Sequence, residues 1–312
     1  MLFHLEQEDK DPYGMAYIPG GVDYPGILGF EDIDDIIEFG PYWIDKYEVT
    51  NKAYKKFVDS EAYIKKDFWK HEFVREGKSL SWEEAMAEFV YATGRPGPST
   101  WEVGDYPDGK ESYPVSGISW YEAAAYAEFI GKSLPDLFHW NFASSKIWSA
   151  EIIPFSNFGG KGPSEVGYYQ GMGPYGTFDM AGNVREWCLN ESKGQRVIMG
   201  GGWNDETYMF NFLNAQSPFD RSESNGFRCI QYLEQPENIK NMKEPVVLPA
   251  RDFLNEPTVS DEVFAIFLNQ FAYDRTDLNA IVESVVEEED YIREKVSFDA
   301  AYGNERMLAY IF

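Results

Sequence analysis

The side chains able to do chemistry are few and scattered along these 312 residues. Two cysteines occur, Cys188 and Cys229, and neither belongs to a CxxC pair or a Cys/His cluster at ligand spacing. One bridge between them is open to the chain, but a pair of buried thiols in strand-like surroundings is the expected state. The three histidines, His4, His71 and His139, stand apart with no His/carboxylate pair at metal-ligand spacing, and His139 is expected to be structural. There is no Gly-x-Ser-x-Gly elbow, no phosphate-binding Gly-Lys loop and no kinase motif. By residue type alone the chain carries no recognisable active site. Two turns remain. Gly182 and Asn183 suit a positive-φ turn, after which Val184, Glu186 and Trp187 alternate like a strand. Gly200-Gly-Gly-Trp203 leads into Asn204-Asp-Glu-Thr-Tyr208 and then Asn211.

Short elements must hold these turns. Gly and Pro interrupt the chain every few residues up to about Phe227, so most of it reads as organised loop. Two helices are signalled. Thr50 or Asn51 caps the first, with Tyr54, Phe57 and Val58 on one face; Ser119 and Glu122 form a capping box for the second, with Ala123, Tyr126, Ala127 and Ile130 as its buried stripe and Gly131 at its end. Strands are expected over 41–47, 196–199 and 226–232. Aromatic residues make up 17% of the chain, which suits loops pinned by large rings and excludes a disordered chain. A balance of 27 basic against 53 acidic residues, net −26, repels phosphate backbones and anionic headgroups, so nucleic acid is not an expected partner. No run approaches the length of a membrane span, and residues 1–11 are too charged for a signal peptide.

Composition changes after Tyr232. Residues 255–290 carry ten acids against one base, Arg275, around a helix capped by Ser260, with Val263, Phe264, Phe267, Leu268 and Phe271 on its apolar face. Residues 291–301 and 306–312 then read as a hairpin turning at Tyr302-Gly-Asn, and ending on an apolar strand suggests a fragment of a longer polypeptide. An isolated hairpin is marginal in water, so its edge is expected to be exposed or paired between molecules.

Four stretches in order resemble the formylglycine-generating-enzyme (sulfatase-modifying factor) family. They are Tyr47-Glu-Val-Thr-Asn-Lys-Ala-Tyr, Pro114-Val-Ser-Gly-Ile-Ser-Trp-Tyr-Glu-Ala with Leu134-Pro-Asp-Leu-Phe-His-Trp, Gly176-Thr-Phe-Asp-Met-Ala-Gly-Asn-Val-Arg-Glu-Trp, and Met199-Gly-Gly-Gly-Trp with Asn225-Gly-Phe-Arg. The resemblance implies an α+β, loop-rich domain over residues 14–232, of a fold related to C-type lectins, with residues 233–312 as a helix-plus-hairpin extension. In the family, two cysteines after the Gly-Gly-Ser-aromatic turn bind Cu(I) and activate O₂ to oxidise a substrate cysteine. Their places fall at about Asp205 and Phe210, a hard carboxylate and a non-ligand, so no copper is expected. The family also holds a structural Ca²⁺ with an Asn and a Glu matching Asn183 and Glu186; a plain Asx turn with a surface Glu is the equal alternative. At the family's second calcium site Asn157 matches one ligand, and Tyr168 stands at the other.

The variants Leu-Pro-Asp-Leu-Phe-His-Trp, Asn-Val-Arg-Glu-Trp and Gly-Gly-Gly-Trp-Asn-Asp resemble a bacterial subgroup in which this domain follows a serine/threonine kinase and a membrane span, with an α/β-hydrolase next; residues after 232 are similar to hydrolase lead-in strands. That implies an extracytoplasmic, periplasmic part of a larger membrane protein. The expected function is a catalytically inactive sensing module that takes a peptide, protein or small ligand against Trp203, Asn204, Asp205, Tyr208 and Asn211. A plainer reading has Trp203 and Tyr208 merely packing the core. The resemblance is also compatible with an oxidase with an altered metal centre, a spacer between kinase and hydrolase, or a variable ligand-binding protein of the same fold.

Overall fold

In a computed structural model the chain is described over residues 14–23, 37–233, 242–247, 254–271, 276–288, 290–301 and 305–312. His4, Arg275 and the Tyr302-Gly-Asn turn lie outside them. The chain divides into two units, Met1–Ala250 and Arg251–Phe312.

The first unit begins with β1 (Met15–Ile18), β2 (Gly21–Asp23), β3 (Ile37–Phe39) and β4 (Tyr42–Asp45). Then comes α1 (Asn51–Asp59), where Thr50 is the cap: its side chain accepts from Ala53 N, and Tyr54 and Phe57 are fully buried. A small β5–β6 ribbon (Val74–Arg75, Lys78–Ser79) precedes α2 (Trp82–Glu88). This helix is an addition to the two expected, although its Ser81/Glu84 capping box stands in the sequence. In α3 (Trp120–Phe129) the Ser119/Glu122 box forms with both hydrogen bonds. This helix is buried through eight consecutive residues from Trp120 to Ala127 rather than along one stripe, because its alanines let neighbours approach on every side. α4 (Leu137–Ser144), capped by Asp136, and the single turn α5 (Ser149–Ile152) follow.

The remaining strands are β7 (Arg185–Ser192), β8 (Gln195–Met199), β9 (Asn214–Gln216), β10 (Asn225–Gly226) and β11 (Ile230–Tyr232). One sheet has the order β1-β4-β11 and another β10-β7-β8-β9, with β10 parallel to β7. The strand expected over 226–232 is thus two pieces in two sheets. Phe227 to Cys229 break the run because their backbone carbonyls turn aside to Val49 N and Asp45 N. An aromatic core around Tyr54, Phe57, Trp101, Trp120 and Phe227 fills one region, and a second around Ile18, Tyr42, Trp140, Val197 and Phe210 fills another. Both cysteines are buried and unpaired in these cores, and burial raises both thiol pKa values well above the ordinary range.

In the second unit, α6 (Asp261–Gln270) starts at Ser260 as expected, and all its residues are exposed. The hairpin is instead a three-stranded antiparallel sheet, β12 (Ile281–Glu287), β13 (Ile292–Asp299) and β14 (Arg306–Ile311). β12 escapes the alternation rule because its apolar residues come as adjacent pairs, Ile281-Val282 and Val285-Val286, on either side of a bulge between Val282 and Ser284. No helix among the described residues is long and apolar enough to cross a membrane.

Candidate functional site

The Gly182–Asn183 turn brings three distant loops together. Gly182 has φ +79°, and a Cβ there would sit 2.3 Å from Asn157 O, so only glycine fits. Asn183 takes φ +56°, a region its short side chain tolerates. Asn183 N donates to Asn157 O, and Trp203 N donates to Asn183 O at 2.7 Å. Gly160 N in turn donates to Trp203 O at 2.7 Å, clipping the 157–165 loop to the glycine turn.

Asp205 anchors this wall from behind. Its Oδ2 accepts from Arg185 Nε at 2.7 Å and from Gly202 N at 2.8 Å, and its Oδ1 accepts from Arg185 Nη2. Such a fork-to-carboxylate pair fixes direction as well as distance. In front, a cleft of about 770 Å³ opens between Trp203, the 157–169 loop and the 100–114 loop, within the usual range of ligand pockets. Tyr113, Tyr168 and Tyr169 line it, with Lys110, Lys161, Glu165 and Glu223 as its charges. Asn51 ties its floor, accepting from Trp101 Nε1 at 2.9 Å and donating to Lys110 O at 2.9 Å. Trp203 is half-buried, and among the described residues its buried Nε1–H has no acceptor.

Of the five residues expected to form the wall, Trp203 lines this cleft, while Asp205 holds it without lining it. Asn204, Tyr208 and Asn211 are exposed and do not line it. Three lining residues that sequence reasoning misses, Lys110, Tyr113 and Tyr169, come from loops 34 or more positions from Trp203 in sequence. The Tyr168-Tyr169 doublet beside Pro163 is their one local hint.

Beneath the turn lies a buried charge cluster. Arg228 and Glu186, both fully buried, form a two-pronged pair at 2.6 Å for each contact, and Trp140 Nε1 adds a third donor to Glu186 at 2.6 Å. Glu48 accepts from Val184 N and Asn183 Nδ2, and Asp179 accepts from Gly167 N. Burial first, and then the neighbouring Asp179 and Glu186, holds the Glu48 carboxyl well above the usual range. Burial likewise pushes Asp179 up to about 6.

The family's metals can be tested against these residues. Glu186 has both oxygens committed to Arg228 and Trp140, and Asn183 Oδ1 already accepts from Asn157 Nδ2, Ser164 N and Ser164 Oγ at 2.8–3.2 Å. A Ca²⁺ ion needs those lone pairs, so this pair does not fit it. Asn157 Nδ2 points to Gly162 O and Asn183, and Tyr168 is 70% exposed. At the places of the copper thiolates, Asp205 is bound to Arg185 and Phe210 is fully buried in the core, a donor set that does not suit Cu(I). His139 is buried too, its Nδ1 2.7 Å from Asp136 Oδ2 and its ring edge-on to Phe39, Tyr42 and Tyr232. His71 stands edge-on to Trp120.

Comparison with known proteins assigns the class. Residues 4–233 match the model of the sulfatase-modifying factor enzyme 1-like domain, and the chain belongs to that family. A mouse relative named inactive C-alpha-formylglycine-generating enzyme 2 is 26% identical over 281 residues, covering 73% of this chain and 88% of that protein. The serine/threonine-protein kinase pkn1 of Chlamydia pneumoniae is 41% identical over 151 residues, covering 39% of this chain but 24% of the kinase. Among solved structures, CarF aligns over 72% of this chain and 99% of its own at 18% identity, with a TM-score of 0.48.

Proposed function

We propose that this chain is a non-catalytic binding domain of the formylglycine-generating family, taking a protein segment or small ligand in the cleft at Trp203. The observation that carries this reading is the pairing of that cleft with an indole N–H that is buried beside it and has no acceptor among the described residues. Leaving such a donor unmet costs about 1–3 kcal/mol; because the N–H is closed to solvent, a ligand carbonyl or carboxylate recovers that cost only as the side chains covering it move aside. Glycine-turn residues that would carry catalysis elsewhere in the family serve structure here: Asp205 braces the wall, and Phe210 fills the core. The turn works without a bound ion, and no copper centre forms.

The kinase relative supports fusion to a serine/threonine kinase in a larger bacterial protein; the further parts of this reading, a membrane span, an α/β-hydrolase and an extracytoplasmic position, rest on the sequence resemblance alone. Peptides selected from a displayed library on the wild-type chain are expected to lose about tenfold in affinity for Trp203→Phe, which removes one N–H and keeps most of the apolar surface. Tyr208→Ala should leave them unaffected. Equal binding to Trp203→Phe, or loss with Tyr208→Ala instead, would contradict the reading.

A further inference from the structure

The second unit carries two unlike sheet edges. β12 is guarded: a bulge interrupts it, and Glu283 and Glu287 stand on it, followed by Glu288 and Asp290. These are the devices by which edge strands avoid pairing with other chains. β14 has none of them. It runs in unbroken register with β13 from Arg306 to Ile311, and among the described residues no strand pairs with its outer edge. Its one charge, Arg306, is turned onto its own sheet, with Nη1 2.7 Å from Asp299 Oδ1 and Nη2 bonded to Ser297. Met307, Leu308, Tyr310 and Ile311 are each 41–58% exposed.

We propose that β14 is a self-pairing surface, on which a second copy of this chain adds its own β14 antiparallel about Ala309. Side chains alternate between faces along a strand, so two copies related by a two-fold axis perpendicular to the sheet join like face to like face only in registers that oppose residues of the same parity. Centring on Ala309 keeps it. Met307 then lies against Ile311 of the second copy beside the small Ala309 pair, and Leu308 lies against Tyr310 on the other face. Every one of these cross-strand pairs is apolar. Charge selects the same arrangement. Two chains of net −26 repel one another, but this pairing puts both acid-rich β12 strands at the far edges of a six-stranded sheet. Pairing through β12 would align carboxylates.

Light scattering on the 312-residue chain is expected to give twice the 35.9 kDa chain mass, and Leu308→Lys/Tyr310→Lys the single mass with unchanged far-ultraviolet circular dichroism. As a second variant, Ala309→Cys should cross-link to itself under mild oxidation, because the axis places the two introduced thiols opposite each other. Met307→Cys, opposed to Ile311, should not. A wild-type chain of single mass at every accessible concentration would overturn the proposal and point to a strand from another polypeptide. A dimer that survives the lysine pair, or that cross-links equally through Met307→Cys, would overturn it as well.

Discussion

Replacing Arg228 with Met is expected to lower folding stability by about 3–5 kcal/mol in urea denaturation at neutral pH. Arg228 is fully buried and binds Glu186 through two nitrogens, while its remaining donors meet the carbonyls of Asp45, Lys46 and Phe178. Methionine matches its length but removes the cation. Glu48, Asp179 and Glu186, none more than 3% exposed, then have no positive partner among the described residues, and the carbonyls of Asp45, Lys46 and Phe178 each lose an Arg228 donor, Lys46 O keeping the one from Phe178 N. Arg228→Lys should recover part of the loss, because it restores the charge but not the planar fork. A loss below about 1 kcal/mol would show that water reaches the cluster and that the pair is not what holds the Gly182 turn in place.

Asp179→Asn is expected to do the opposite, stabilising the chain at pH 7 by up to about 3 kcal/mol and doing little at pH 4. Burial raises this carboxyl from 3.8 to about 6. Between those values the folded chain holds a proton that the unfolded chain has released, so this group's contribution to stability falls as pH rises, and it levels off above about 6. Asparagine does not titrate. Its oxygen can still accept from Gly167 N, and it tolerates the φ of +57° found here. Thermal unfolding of both proteins from pH 4 to pH 8 should therefore give curves that diverge through pH 5–6. Parallel curves would mean that Asp179 titrates normally in the folded chain.

These two residues also show how far the sequence is readable. Local signals name α1 and α3, since Thr50 and Ser119 cap where expected and cap chemistry needs only three or four neighbouring residues, whereas α2 and α4 go unnamed although Ser81 and Asp136 cap them. The ordered motifs around Gly182 and Gly200 name the family. The charge cluster is not legible, because Glu48 reaches Asn183 and Val184 across more than 130 positions, and no periodicity records such a contact. The cleft escapes for the same reason. The sequence points to a wall along 203–211, but a single 3₁₀ turn at 207–210 buries Phe210 and carries Tyr208 and Asn211 into solvent, while the opposing wall comes from residues 100–114. β12 is hidden by its bulge and its acids.

Whether the domain binds without oxidising is decided most directly by mass spectrometry of a cysteine-containing peptide incubated aerobically with the Cu(I)-treated chain. The peptide cysteine is expected to emerge unaltered, because Asp205 is bound to Arg185 and Phe210 is sealed in the core where the family keeps its thiolates. Conversion of that cysteine to formylglycine by the wild-type chain would contradict the non-catalytic reading.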